Sequence, residues 1–162
     1  MTSLRADQTV RKDHPQIEFR GVLDGAMADV AYGAALAYQE SKPELADALV
    51  QLNACLSQVM RAHVMDGPCD ITELWGRSLE ELHAVSHDPK AHFGFGFFLP
   101  APSHGPAINW LNVIRTRIRD AERAYIGSCA HPNASVCSVL NRLSSAVFVL
   151  MCEANLQFVK SL

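Results

Sequence analysis

The chain has 162 residues, 49% of them apolar, with 14 basic and 17 acidic side chains and a formal net charge of −3. That length suits a single domain with one core, spanning 1–162, and so apolar a chain is not disordered. The acidic balance lacks the basic surplus of a nucleic-acid binder, although a few clustered arginines would still hold an anion locally.

No membrane span is expected. The longest uncharged stretch, 91–114, is broken by Pro100, Pro102, Pro106 and glycines, whereas a span needs ~20 mostly apolar residues. The N-terminus lacks the apolar centre of a secretory signal. Five cysteines without a C-x-x-C pair suit a reducing compartment, hence the cytoplasm.

Residues 1–13 are polar and read as irregular. A first helix is predicted from Pro15, with Ile17, Val22, Met27, Val30, Ala34 and Ala37 at helical spacing, ending before Pro43. A second carries Leu45, Leu49, Leu52, Leu56, Val59 and Met60 on one stripe and stops at Asp66-Gly67-Pro68. A shorter helix follows, with Ser78 as N-cap and Glu81 at the third helical position. The segment AHFGFGFFLPAPSHGP (91–106) reads as a long irregular loop whose four phenylalanines must pack on a core or a ligand. Long ordered loops are usually functional. A fourth helix begins near Pro106, with Ser103 or Gly105 nearby for capping. Its stripe is Ala107, Trp110, Leu111, Ile114, Ile118, Ala121 and Tyr125. The last helix starts at Asn133 or Ser135 and buries Val136, Val139, Leu140, Leu143, Val147 and Leu150. No strand alternation is evident. The expected fold is an all-α bundle of four or five helices.

The fourth helix holds RTRIRDAER (115–123). Arg115, Arg119 and Glu122 share one face at i, i+4 and i+7, extended by Arg123. Such a face suits a phosphate-rich anion, or ion pairs in a solvated surface. Asn141, Arg142, Ser144 and Ser145 interrupt an apolar run and need partners wherever they are buried, a ligand or another helix. Asp24 stands alone in the apolar first helix, exposed or paired with an arginine within or between subunits. His83 and His87 have the i, i+4 spacing of a metal pair, but no third ligand follows from spacing, so capping or surface roles compete with a metal. His104, at a helix start, either contacts a ligand or caps. Neither G-x-x-x-x-G-K-[ST] nor G-x-G-x-x-G occurs.

Three blocks together carry a resemblance over nearly the whole length. They are KDHPQIEFRGVLDG, FFLP followed by RTRIRDAER, and LNRLSS with VFVL after it. In content and order they resemble the corrinoid adenosyltransferases, trimeric helical bundles that move the adenosyl group of ATP onto cob(I)alamin. The ethanolamine-utilisation branch is most similar, at FRGVLD, VMRAHVMDGP, LHAVSHDP, PAPSHG, LNVIRTRIR and LNRLSS. The AER triplet and Phe97 match the propanediol-utilisation branch.

The resemblance implies a five-helix bundle with ferritin-like up-down packing, assembled as a homotrimer. It implies cobalamin, ATP and a magnesium ion with the ATP. Arg119, Glu122 and Asn141 would hold ATP, with Arg142 beside the site. Arg115 would pair across the trimer with Asp24. Phe97 would press on the corrin and displace its lower axial ligand, with Phe95, Phe98 and His104 near the cobalamin. Phe97 and Arg119 would thus carry the chemistry. No resident metal is expected. A corrinoid reductase or an adenosylcobalamin-dependent enzyme is the implied protein partner, in the cytoplasm or at a bacterial microcompartment.

Departures from the family pattern carry expectations of their own. Thr2-Ser3-Leu4 resembles the residues just after a triphosphate-wrapping Thr-Gly-Asp-x-Gly segment, and the histidine and clustered cysteines of the ethanolamine type have no counterpart. Ser145 stands where the family has aspartate, and Gly25 where it has glutamate. Weakened triphosphate binding is expected, and a non-catalytic cobalamin-binding or delivery protein on the same scaffold is the alternative function.

Overall fold

The structure, a computed structural model, describes residues 1–5 and 8–161. Proline punctuates the helices. It opens α1 (Pro15–Gln39), α2 (Pro43–Met65), α4 (Pro89–Phe93) and α5 (Pro106–Ser128), because the first turn needs no donor from its N–H and suits its fixed φ. The remaining helices are α3 (Leu79–His87) and α6 (Ala134–Ser161). Ser78 caps α3 by accepting from the Glu81 N–H at 3.1 Å, as expected. Asp66 ends α2 in the left-handed region at φ 54°, and the Gly67 N–H returns to the Ala62 carbonyl at 2.9 Å.

α1 packs on α2 and α5, α5 on α6, and α2 on α6, while α3 lies along α6. The stripes expected on α2, α5 and α6 are the buried ones, with Met60 and Trp110 at the margin. In α1 the expected Val30, Ala34 and Ala37 are buried, and Phe19, Leu23, Ala26 and Gly33 complete the core face. Ile17, Val22 and Met27 are only partly buried. Gly33 marks where α1 and α5 come closest. A Cβ there would sit 2.9 Å from Ile114 Cδ1 and 3.1 Å from Trp110 Cδ1, so a side chain fits only if Ile114 and Trp110 shift.

The start of α5 is fixed from outside. Gly105 has no side chain to cap with, and Glu40 Oε1, at the end of α1, accepts from the Ala107 N–H at 2.8 Å. Lys42 pairs with the other oxygen of the same carboxylate. The Trp110 indole donates to the Asp29 carbonyl at 2.9 Å, and Arg117 pairs with the Asp29 carboxylate at 3.0 Å. These contacts hold α5 on α1 along its first half.

Several expectations are corrected. Residues 1–13 are not irregular throughout: β1 (Thr2–Arg5) pairs antiparallel with β2 (Gln8–Val10). Leu4 is buried, and the Arg20 guanidinium donates to the Leu4 carbonyl and to Ser3 O at 3.5 Å. One buried leucine among polar residues makes too short an alternation to read. A second hairpin joins β3 (Glu73–Leu74) to β4 (Arg77–Ser78). Its two-residue turn, Trp75-Gly76, takes φ 57° and 72°, the positive pair that a tight hairpin turn demands. The 91–106 loop is partly structured, since α4 runs into it and Pro102–His104 forms a 3₁₀ turn. With α4, the described residues hold six helices rather than four or five. Helix α6 is long and apolar enough to cross a membrane, yet 67% of its most apolar window is buried inside the fold, as in the core helix of a bundle.

Candidate active site

The arginines of α5 divide into two groups. Arg117 is paired with Asp29, and Arg123 with Asp120. Arg115 and Arg119 have no carboxylate partner among the described residues. Arg115 donates only to Asn112 Oδ1, at 2.9 and 3.1 Å. Burial, and then the charge of Arg119, pull the Arg115 pKa down. Two neighbouring cations without a counter-charge among the described residues form a site for an anion rather than a self-neutralised surface.

Both line a cleft of about 150 Å³ between α3, α5 and α6, together with Ser86, His87, Ser144 and Ser145. Its apolar wall is Phe97 stacked on Phe148, ring centroids 5.1 Å apart and planes 8° from parallel. Phe148 is buried, whereas Phe97 is 65% exposed. The Arg115 guanidinium lies 5.9 Å from the Phe97 centroid, a cation–π distance. A flat apolar surface therefore borders a cationic one, a combination that suits a ligand with a large apolar ring system and a phosphate chain.

A polar chain runs beside the cleft. Asn141 Nδ2 donates to Glu122 Oε1 at 3.0 Å, Arg142 Nη1 donates to Asn141 Oδ1 at 2.8 Å, and Arg142 Nε donates to Glu80 Oε1 at 3.0 Å. The hydrogen bond from Arg142 is the main reason that the Glu80 carboxyl titrates below its ordinary range. His83 Nδ1 lies 3.1 Å from Ser145 Oγ. Burial, followed by the charges of Arg142 and His87, pushes the His83 pKa down.

The structure thus joins Phe97, Arg115 and Arg119 in one cleft, and Glu122, Asn141 and Arg142 in one adjoining network. Phe95, Phe98 and His104 lie elsewhere. Phe95 stacks on Phe93 and meets Phe98 edge-on, and Phe98 approaches His104, whose ring rests 5.1 Å from Phe158. This second aromatic cluster packs the loop onto the core and the end of α6. His104 Nδ1 is engaged with Ala101 in the 3₁₀ turn, at 2.9 Å from its nitrogen and 3.0 Å from its oxygen, so its local capping role is real. Asp24 is exposed on α1, and no Asp24–Arg115 pair forms within the described residues of one chain. No group of three or more His, Cys, Asp or Glu that could hold a metal is found among the described residues.

Residues 1–154 match the sequence model of the family described as cobalamin adenosyltransferase. The chain belongs to the cobalamin adenosyltransferase family. It is 32% identical over 156 residues to the corrinoid adenosyltransferase EutT of Salmonella typhimurium, and equally to that of Escherichia coli. The match covers 93% of this chain and 57% of each relative, so the chain spans little more than half the length of these relatives. No solved structure matches significantly.

Phe148 is the cleft residue of this cobalamin adenosyltransferase family member that sequence reasoning missed. Asn141, Ser144, Ser145 and Phe148 fall at i, i+3, i+4 and i+7 of α6. That is the spacing of one helix face, and it was the available signal. Glu80 carried none, because its partner Arg142 lies in α6, and Ser86, also in the cleft, bonds only within α3 among the described residues, to the His83 carbonyl and His87 Nδ1.

Proposed function

We propose that this chain forms the catalytic domain of an ATP:cob(I)alamin adenosyltransferase, making adenosylcobalamin. The observation that carries the reading is the pair Arg115 and Arg119, without carboxylate partners among the described residues, beside the stacked Phe97–Phe148 wall. The reacting cobalt belongs to the substrate. Cob(I)alamin is the nucleophile: its electron pair forms the Co–C bond to C5′ of ATP, the C5′–O bond breaks, and tripolyphosphate leaves with that electron pair.

The protein's part is positioning and electrostatics. Arg119 meets the phosphate chain and stabilises the departing anion. Glu122 and Asn141 hold each other in place to receive the nucleoside, with Arg142 orienting Asn141 from the Glu80 side. Phe97 presents a ring with no atom able to ligate cobalt, which keeps the lower axial position empty and makes Co(II) easier to reduce. Magnesium would enter on the phosphates of ATP. Phe95, Phe98 and His104 act indirectly, by anchoring the loop that carries Phe97.

We propose further that three copies assemble, with Asp24 of one meeting Arg115 of the next. An exposed acid on α1 and a half-buried guanidinium lacking a carboxylate support that pairing. The test is the absorbance change on adenosylcobalamin formation from chemically reduced cobalamin and MgATP, with light scattering for mass. Product with stoichiometric tripolyphosphate, from a trimer, is expected. Cobalamin binding without product would refute catalysis and favour a carrier.

A further inference from the structure

The histidine pair at the mouth of the cleft is not used by the mechanism above. The His83 and His87 rings meet edge-on with centroids 4.2 Å apart. His87 lines the cleft that holds Arg115 and Arg119. Its Nδ1–H donates to the His83 carbonyl oxygen at 2.9 Å, an oxygen that also accepts from Ser86 Oγ at 2.7 Å. This fixes the tautomer, since a carbonyl only accepts, and leaves Nε2 as the nitrogen available to a ligand. An unprotonated Nε2 would face an anion with a lone pair. A protonated one would offer it an N–H beside the two guanidiniums.

Resting on the adenosyltransferase reading, we infer that His87 is a protonation-dependent contact for the polyphosphate chain, joining Arg119 in a cationic cradle, while Arg115 beside them is left to the pairing with Asp24 of the next copy. The surroundings suit this division of labour. From α3 itself, Glu80 and His83 stand near, with Glu80 already engaged by Arg142. From α6 come Ser144 and Ser145, with Arg142 held by Glu80, and from α5 come Arg115 and Arg119. From β4, Arg77 is paired with Glu153. Asp88, the next residue, spends Oδ1 on the Ala91 N–H at 3.2 Å, and Lys90 and His92 of α4 are exposed. Thus no carboxylate of the described residues forms an ion pair with His87, and an incoming phosphate would be its counter-charge. His83 plays a supporting part. It is tied towards Ser145, and burial, then Arg142, disfavours its charged form.

The test is calorimetric titration of the full chain with ATP, tripolyphosphate and adenosine between pH 5.5 and 8.5, for wild type, His87→Gln and His87→Arg. Comparing variants at each pH cancels the titration of the phosphates themselves. The wild type should bind ATP and tripolyphosphate about tenfold more tightly than His87→Gln at pH 6, a gap that closes by pH 8.5. His87→Arg should bind tightly throughout, and adenosine should not distinguish the three. Equal wild-type and His87→Gln affinities at pH 6 overturn the inference while leaving the ATP reading intact. A gap that needs magnesium and widens as pH rises also overturns it, because it would mark His87 as a metal ligand. Failure of the wild type to bind ATP or tripolyphosphate at any pH refutes the ATP reading itself.

Discussion

Replacing Arg119 by Gln should improve the protein's stability and ruin its site, and the two effects have separate sources. Arg115 and Arg119 are one helical turn apart, and neither is paired with a carboxylate among the described residues. Like charges at i, i+4 cost a helix ~0.2–0.5 kcal/mol, and the exposure of Arg119 keeps the figure at that scale through solvent screening. Removing one charge returns that amount, which for a domain of this size raises Tm by about 0.5–2 °C. The same substitution deletes a charge-assisted hydrogen bond to phosphate worth ~1.5–3 kcal/mol, so ATP affinity should fall roughly 10–150-fold. Differential scanning calorimetry at low salt reads the first effect, and ATP titration under the same conditions reads the second. Raising the salt should shrink both. A variant that loses stability, or binds ATP as well as wild type, would show that Arg119 belongs to a self-neutralised surface and that the cleft is not an anion site.

Phe148→Ala should destabilise the fold by ~3–5 kcal/mol, the usual cost of deleting a buried phenylalanine, read by urea unfolding. In the surviving folded fraction, Phe97 should lose its stacking partner and the yield of adenosylcobalamin should drop more than ATP affinity does. Gly33→Ala sets helix propensity, a gain of ~1 kcal/mol, against overpacking of Ile114 and Trp110, a cost of ~1–3 kcal/mol. The net loss of about 0–2 kcal/mol should lower Tm by up to roughly 8 °C, and a clear rise in Tm would mean that α1 and α5 do not pack as closely as described.

Helix boundaries were legible in this sequence because proline and the Asp66-Gly67-Pro68 stop are local signals that tertiary packing does not override. The buried face of α1 was not. So many of its residues are alanine and glycine that apolar side chains occur all round the helix; Val30, Ala34 and Ala37 were read correctly, but close approach to α5 selected Ala26 and Gly33 over Ile17 and Met27. At the site, the spacing of Arg115, Arg119 and Glu122 was visible at once. Which arginines were free was not, because the acids that neutralise Arg117 and Arg142 lie 88 and 62 residues away in sequence. The family resemblance singled out Phe97 and set Phe95 and Phe98 near the same ligand, whereas their rings belong to a different cluster.

The cap that Glu40 places on α5 has a consequence for how the protein tolerates change. The helix bearing the arginines takes its starting point from the corner between α1 and α2, and its lateral position from Gly33 and Asp29. The loop before it adds the glycine at which the helix begins and the Ala101 carbonyl, which accepts from Asn109 Nδ2 at 2.9 Å. Residues 94–100 can therefore exchange side chains without sliding Arg115 and Arg119 along the bundle. The aromatic wall can diversify there while the cationic side of the cleft keeps its register. A change at Glu40, outside the cleft, would shift both arginines.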